Sequence, residues 1–308
     1  TTSLIGAPAD QLDPGDYRAL MAELYRAGLP IGTLNRLRKR FSRFGGGRLA
    51  AACRAERIRV FAISDVAGDA PGDIGSGPCE ADQTTAVEIR DLLHRLPIAV
   101  PEGASRWLDR VIAGELAETP KPDHPALTRV VTRIVGSNRD AVAAAGVGAS
   151  GLGYRVILDP APLAGEAHLV GSALARSVLE ARIDEPHAWI WGGETIVTVG
   201  ANQGRGGRCQ ELALAAAREL GRSGRPHPII LLAAGTDGRD GPTDAAGAIV
   251  DEETWRRIGE TGIDPVRSLA GHDAYPALDR VGALYRPGPT GTNVMDIVVA
   301  LAIPGESR

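Results

Sequence analysis

Residues 228–248, PIILLAAGTDGRDGPTDAAGA, decide the fold. Ile229 to Ala234 form a continuous apolar run too short for an ordinary helix, so a buried strand of a parallel sheet is predicted there. The run stops at Gly235. Asp237, Asp240 and Asp244 follow among glycines, two threonines and Pro242, a composition that excludes regular structure and brings backbone and carboxylates close to a ligand. In an open α/β sheet ligands bind beyond the carboxyl ends of strands, where this loop is expected. A surface turn rich in Asp and Gly has the same composition, so the surrounding chain has to decide.

Upstream, Val60 to Ile63 read as a strand that runs into Ser64, Asp65, Gly68, Asp69 and Asp73, a second acidic glycine loop. A helix entry follows, capped by Asp82 or Thr84. PKPDHP, residues 120–125, reads as an interdomain connection. Beyond it strands are predicted at 130–135 and 154–158, in AWIWGGE, 188–194, and at TIVTV, 195–199, with helices from 139, over 166–181 and from 208. This alternation implies an α/β fold whose mainly parallel sheet has helices on both faces.

Three glycine-bearing segments in the second half of the chain are candidate ligand contacts. In NQGRGGRCQELALAAAREL, residues 202–220, Gly204, Gly206 and Gly207 precede a helix with Arg208 at its start, so free backbone N–H groups and the positive helix end suit a phosphate. Gly192, Gly193 and Glu194 break two strands, a place for close approach of a ligand. Thr290, Gly291, Thr292 and Asn293 form a loop of hydroxyl and amide groups ahead of Asp296 and an apolar strand. Nearer the start, a helix over 15–28 is followed by one carrying Arg36, Arg38, Lys39, Arg40 and Arg43, which ends in Gly45, Gly46, Gly47 and Arg48, a pattern suited to a phosphate or carboxylate.

Other chemistries find no support. Lys39 and Lys121, the only lysines, do not follow a glycine, so there is no Walker loop; the six histidines lack metal-ligand spacing, and no GxSxG elbow occurs. Gly146, Gly148 and Gly151 make a GxGxxG, but between a helical run and a strand, the reverse of the order a dinucleotide needs. A net charge of −4 argues against nucleic acid or a membrane surface as partner. No apolar run approaches the ~20 residues of a membrane helix. Three cysteines without CxxC spacing suggest neither disulfides nor a zinc ribbon and fit a reducing, cytoplasmic setting. Acidic loops for Mg²⁺, glycine loops for phosphate and cations for an anionic acceptor together fit phosphoryl transfer.

ISDVAGDAPGDIGSGP, GGETIVTV, GRGGRCQELALAAA, AAGTDGRDGPTDAAGA and GPTGTNVMDIVVAL, in that order, closely resemble the glycerate 2-kinase family, whose C-terminal part is the MOFRL domain. The resemblance implies ATP- and Mg²⁺-dependent phosphorylation of D-glycerate at its 2-hydroxyl in a cleft between two α/β domains, each expected to be a mainly parallel sheet flanked by helices. On it, residues 1–125 are expected to form a partial N-terminal domain and 126–308 the C-terminal one, with MOFRL at about 187–308; a homodimer is compatible with it. Asp65, Asp237 and Asp240 are the expected catalytic acids, Asp237 and Asp240 also holding the metal. Arg38, Lys39, Arg48 and Asn293 are assigned to glycerate, and Gly192, Gly193, Glu194, Gly204, Gly206, Gly207, Arg208, Thr290 and Gly291 to the nucleotide. The chain departs from the family's usual pattern at Gly45 and Cys209 and begins at Thr1 without an SGG element, so the first domain's opening half is expected to be absent and strand 59–65 to lie near an open edge. An NAD(P)-dependent hydroxypyruvate reductase and a non-catalytic fragment that binds nucleotide are the alternatives.

Overall fold

The structure, a computed structural model, describes residues 6–200, 204–222 and 228–305. The chain divides into two compact units, Thr1–Ala62 with Gly68–Val135, and Ile63–Ala67 with Gly136–Arg308. Both contain helices and strands, as the α/β class requires.

The first unit holds α1 (Pro14–Arg26), α2 (Ile31–Phe41), α3 (Arg48–Ala52), α4 (Ala86–Arg95) and α5 (Glu102–Ile112), while β1 (Ile58–Ile63) pairs with β2 (Val130–Gly136) in a two-stranded sheet. Asp13 starts α1 by accepting the N–H groups of Gly15 and Asp16 at 2.7 and 3.0 Å, with Pro14 at the first helical position. On α5, Ala104, Trp107, Leu108 and Val111 recur at spacings of three and four and are all buried. With Leu20, Leu24, Leu37, Phe41 and Ile89 they form the unit's core, which is therefore helical. The mainly parallel sheet expected here is corrected to two strands: the helical stripes bury one another, whereas Phe61 and Val131 on β1 and β2 stay 65% and 63% exposed. The cap of α4 is also corrected, to Thr85 in a capping box with Glu88, because Asp82 turns inward to Thr84, Thr119 and Arg40.

The second unit contains α6 (Asn138–Gly151), β3 (Arg155–Leu158), α7 (Ala167–Glu180), β4 (His187–Gly193), α8 (Arg208–Arg222), β5 (Ile229–Gly235), β6 (Gly247–Asp251), α9 (Thr254–Glu260), α10 (Pro265–Ala270), α11 (Ala274–Arg280), β7 (Leu284–Tyr285) and β8 (Asp296–Ala302). One six-stranded sheet runs in the order β3-β4-β8-β5-β6-β7. Helices cover both faces as expected. Trp189, Trp191, Leu231, Ala233 and Val298 pack under α7 and α8, while Val142 and Ala149 of α6 pack on Ala188 and Ile190.

Strand direction differs from the expectation. β3 and β4 are parallel, but β4 with β8, β8 with β5, β5 with β6 and β6 with β7 are antiparallel. The last strand inserts between β4 and β5, and β6 turns back along β5; a buried apolar run reads the same in either direction. Residues 195–199 do not form the expected strand. After Gly193 the chain leaves the sheet and makes single bridges, Leu163 with Gly193 and Glu166 with Ile196. Gly146, Gly148 and Gly151 fall within α6, where Gly146 faces Leu158 and Val156. Among the described residues no helix is long and apolar enough to cross a membrane.

Candidate active site

The insertion of β8 fixes the centre of the second unit's site. At its first residue, Asp296 lies opposite Gly193 at the end of β4 on one side and Gly235 at the end of β5 on the other. Asp296 is 3% exposed, and its carboxylate meets Arg208 in a two-point contact, Nε to Oδ2 at 2.5 Å and Nη2 to Oδ1 at 2.8 Å. Arg208 Nη1 reaches Glu194 Oε1 at 3.1 Å. The hydrogen bonds to Asp296 hold the guanidinium above its ordinary range. Burial pushes the Asp296 carboxyl up in spite of them, and burial likewise raises Glu194, against Arg208 and with help from Asp296 and Asp65.

The glycines at the end of β4 are set by packing. A Cβ on Gly192 would fall 1.9 Å from Asn138 Oδ1, and Asn138 Nδ2 donates to the carbonyls of Val294 and Asp296 at 2.7 and 2.9 Å. Gly193, at φ 141°, leaves no room for a side chain beside the backbone of Leu163.

At the start of α8 the expectation of free N–H groups is corrected at two positions. Asp240, 3% exposed, accepts Cys209 N at 3.2 Å and Gln210 N at 2.8 Å, so the acid of the 235–244 loop satisfies the helix end. Gln210 Nε2 in turn donates to Asp240 O and Thr243 Oγ1. Burial raises the Asp240 carboxyl to about 6, opposed by the two N–H groups. Gly207 has no space for a Cβ, which would lie 2.3 Å from the Asp240 carboxyl carbon, and one on Gly204 would meet Gly271 O at 2.5 Å. Gly206 has ordinary clearance.

Asp237 is half-buried, and its Oδ1 accepts Arg239 N at 2.9 Å. Asp65 is exposed. Thr290 ties two loops together, its Oγ1 donating to Thr236 O at 2.6 Å and its N–H to Asp237 O at 3.2 Å. Asn293 Oδ1 accepts Met295 N at 3.0 Å, and Gly291 turns the chain at φ 78°. Asp244 instead holds Tyr275 Oη at 2.6 Å and Arg286 Nε at 3.2 Å.

A cavity of about 380 Å³ opens here, within the size range of small-molecule pockets. Glu194, Gly204, Gly206, Gly207, Arg208 and Asp240 line it, together with apolar Ile196, Val197, Val199 and Pro242 and, unforeseen, Glu211 and His272. Asp296 was also missed as a site residue, although it closes the GPTGTNVMD segment. Among the described residues, Asp184, Glu185 and His187 are the acids and histidine whose ligand atoms gather within 4.8 Å, and none lines this cavity.

In the first unit, Arg48 Nη1 donates to the carbonyls of Arg40 and Ser42, both at 2.8 Å, and burial lowers its pKa to about 10. Arg48 and Trp107 line a separate cavity of about 570 Å³ in that unit. Lys39 is buried with Nζ 3.6 Å from Asp73 Oδ1, and Arg38 is half-buried. Arg40, not singled out by the sequence, is fully buried against Asp82 at 3.1 Å, against Glu118 and on Thr84 O.

Comparison with known proteins gives two family matches, the MOFRL family over residues 187–296 and the Domain of unknown function (DUF4147) over residues 1–109. A protein of Pyrococcus horikoshii named Glycerate 2-kinase is 35% identical over 100% of this chain and 70% of its own length. D-glycerate 2-kinase of Thermotoga maritima is 36% identical, covering 98% of this chain and 70% of its own. An Agrobacterium vitis protein carrying a hydroxypyruvate reductase name is 37% identical over 96% of this chain and 66% of its own. The crystal structure of glycerate kinase from Thermotoga maritima superposes with a TM-score of 0.83 at 35% identity, over 96% of this chain and 69% of that one.

Proposed function

The chain belongs to the glycerate 2-kinase family, and we propose that it transfers the γ-phosphoryl group of ATP to the 2-hydroxyl of D-glycerate. The observation that carries this reading is Arg208, held by Asp296 and Glu194 at the strand ends and lining the same cavity as the glycine loop. In phosphoryl transfer catalysis is mostly positioning and charge neutralisation, and a fixed guanidinium beside glycine backbone supplies both. The nucleotide phosphates are placed along Gly204 to Arg208. Gly206, with room on its cavity side, is the closest-approach position, while Gly192, Gly193, Thr290 and Gly291 support the site by shaping its loops.

Mg²⁺ fits the donor set. Glu194 and Asp296 pair with Arg208, and Asp240 lines the same cavity, so three acids stand around one arginine, and their oxygen donors suit a hard cation. Asp237 and Asp240, with Glu194, are the residues assigned to hold it; when bound it would neutralise phosphate charge. Asp237, the more accessible of the two loop acids, orients the acceptor hydroxyl and takes its proton, and Asp65 adds negative field. The glycerate carboxylate is assigned to Arg38, Lys39 or Arg48 and a glycerate hydroxyl to Asn293. A cytoplasmic setting suits the free cysteines 53, 79 and 209.

A coupled assay with ATP, Mg²⁺ and D-glycerate, with the product identified as 2- or 3-phosphoglycerate, tests the reading. We expect 2-phosphoglycerate and no oxidation of NAD(P)H with hydroxypyruvate. Reductase turnover without kinase turnover would overturn it, and nucleotide binding without either would make the chain a binding module.

A further inference from the structure

We propose that His272 reads the base of the nucleotide, its Nε2 accepting the exocyclic amine of adenine; this rests on the assignment of the 380 Å³ cavity to the nucleotide. His272 Nδ1 lies 2.8 Å from Glu211 Oε2. Glu211 is 2% exposed, in the first turn of α8, and its other oxygen has no hydrogen-bond partner and sits 3.4 Å from His168 Nδ1. A carboxylate only accepts, so the proton of the neutral His272 ring belongs on Nδ1 and Nε2 is a bare acceptor.

The loop that carries His272 is fixed against the phosphate loop. Arg205 N donates to Asp273 Oδ1 at 2.7 Å, Tyr275 N donates to Arg205 O at 2.9 Å, and the Arg205 guanidinium lies over the Tyr275 ring at 3.8 Å. His272 itself is in the left-handed region at φ 53°, a conformation that non-glycine residues hold only where the surroundings impose it.

Glu211 and His272 line the same cavity as Arg208 and the glycine loop, and Ile196 and Val199, 56% and 42% exposed, line it as well. A flat base covers such apolar surface, and a polar group at the rim then decides which base is accepted. Adenine offers an amine to Nε2. Hypoxanthine and guanine offer a carbonyl, which sets acceptor against acceptor and leaves both unpaired.

The test is calorimetric binding of ATP and ITP, each with Mg²⁺, to the full chain. Wild type should bind ATP at least ~10-fold tighter than ITP. Asparagine tolerates the left-handed conformation, so His272→Asn should keep the loop, bind ATP at least ~10-fold more weakly and leave ITP unchanged, bringing the ratio near one. His272→Gln, whose amide donates and accepts, should bind both alike. Equal affinity of wild type for the two nucleotides, or equal weakening of both in His272→Asn, would overturn the assignment while leaving the cavity a nucleotide site. Failure of wild type to bind either would overturn the nucleotide reading and this inference with it.

Discussion

Arg208 and Asp296 are 88 residues apart in sequence and meet through two parallel hydrogen bonds of 2.5 and 2.8 Å. The pair exists because β8 enters the sheet antiparallel between β4 and β5 and delivers its first residue to their ends. Removing one partner leaves the other charge without its counterpart in a buried place. Arg208→Met should therefore lower stability by about 3 kcal/mol in urea unfolding. The double variant Arg208→Met, Asp296→Leu should cost less than the sum of the single changes. Additive losses would show that the fork is not coupled.

Asp240 gives stability a pH dependence of unusual sign. Its carboxyl is raised to about 6 in the folded chain, against an ordinary aspartate value of 3.8. Between those values the folded state binds the proton and the unfolded state has released it, so stability falls as pH rises through the window. The loss is on the order of 3 kcal/mol, from about 1.4 kcal/mol per pKa unit. Urea midpoints measured from pH 4 to 7 should decline more steeply in wild type than in Asp240→Asn, and identical slopes would contradict the burial argument.

Asp237 and Asp240 should separate by experiment, although they stand three residues apart in one loop. Asp237→Asn leaves the α8 end intact and is expected to lower kcat about 100-fold with nearly unchanged unfolding. Asp240→Asn removes a carboxylate that accepts two helix N–H groups and should lower stability as well as turnover. Wild-type kcat in Asp237→Asn would remove that residue from the chemistry.

The glycine loop offers a similar contrast. A Cβ on Gly206 comes no closer than 3.4 Å to a neighbour, so Gly206→Val should fold and, by filling a cavity-lining position, weaken ATP far more than glycerate. Gly207→Ala places its methyl on the Asp240 carboxylate and should unfold at lower urea. Equal weakening of both ligands by Gly206→Val would detach the loop from the phosphates.

These contrasts mark how far the residues could be read in advance. The helices around 14–26 and 208–222, the strand 229–235 and the loop after it were legible because each is announced by local periodicity or by glycine and proline. Strand direction was not, since it depends on where the distant 296–302 segment inserts. Asp240 looked like a second Asp237 because a helix cap 30 residues away is a long-range fact. Nothing local singles out Glu211; only the packing of the 271–275 loop against the 204–207 loop shows that it faces a histidine. Arg40 was one charge of a basic run, and nothing local distinguishes the buried arginine from its neighbours.

That last ambiguity leads to a prediction about Lys39 and Arg40, adjacent on α2 and both buried. Arg40 is enclosed by Asp82, Glu118 and the Thr84 carbonyl, all within its own unit, so its charge is spent on holding α2 to the segments around residues 82–84 and 118. Arg40→Met leaves Asp82 buried without its main counter-charge and should cost about 3 to 5 kcal/mol. Lys39 has a looser partner, Asp73 at 3.6 Å, whose carboxylate is 44% exposed. Methionine matches the length of its apolar stem, so Lys39→Met should unfold close to wild type. If Lys39 binds the glycerate carboxylate, that variant should raise the KM for D-glycerate at least ~10-fold and leave the KM for ATP unchanged, because the lost charge-assisted contact belongs to one substrate only. An unchanged glycerate KM, measured at saturating ATP, would take Lys39 out of the substrate site and leave Arg38 and Arg48 as the cations to test.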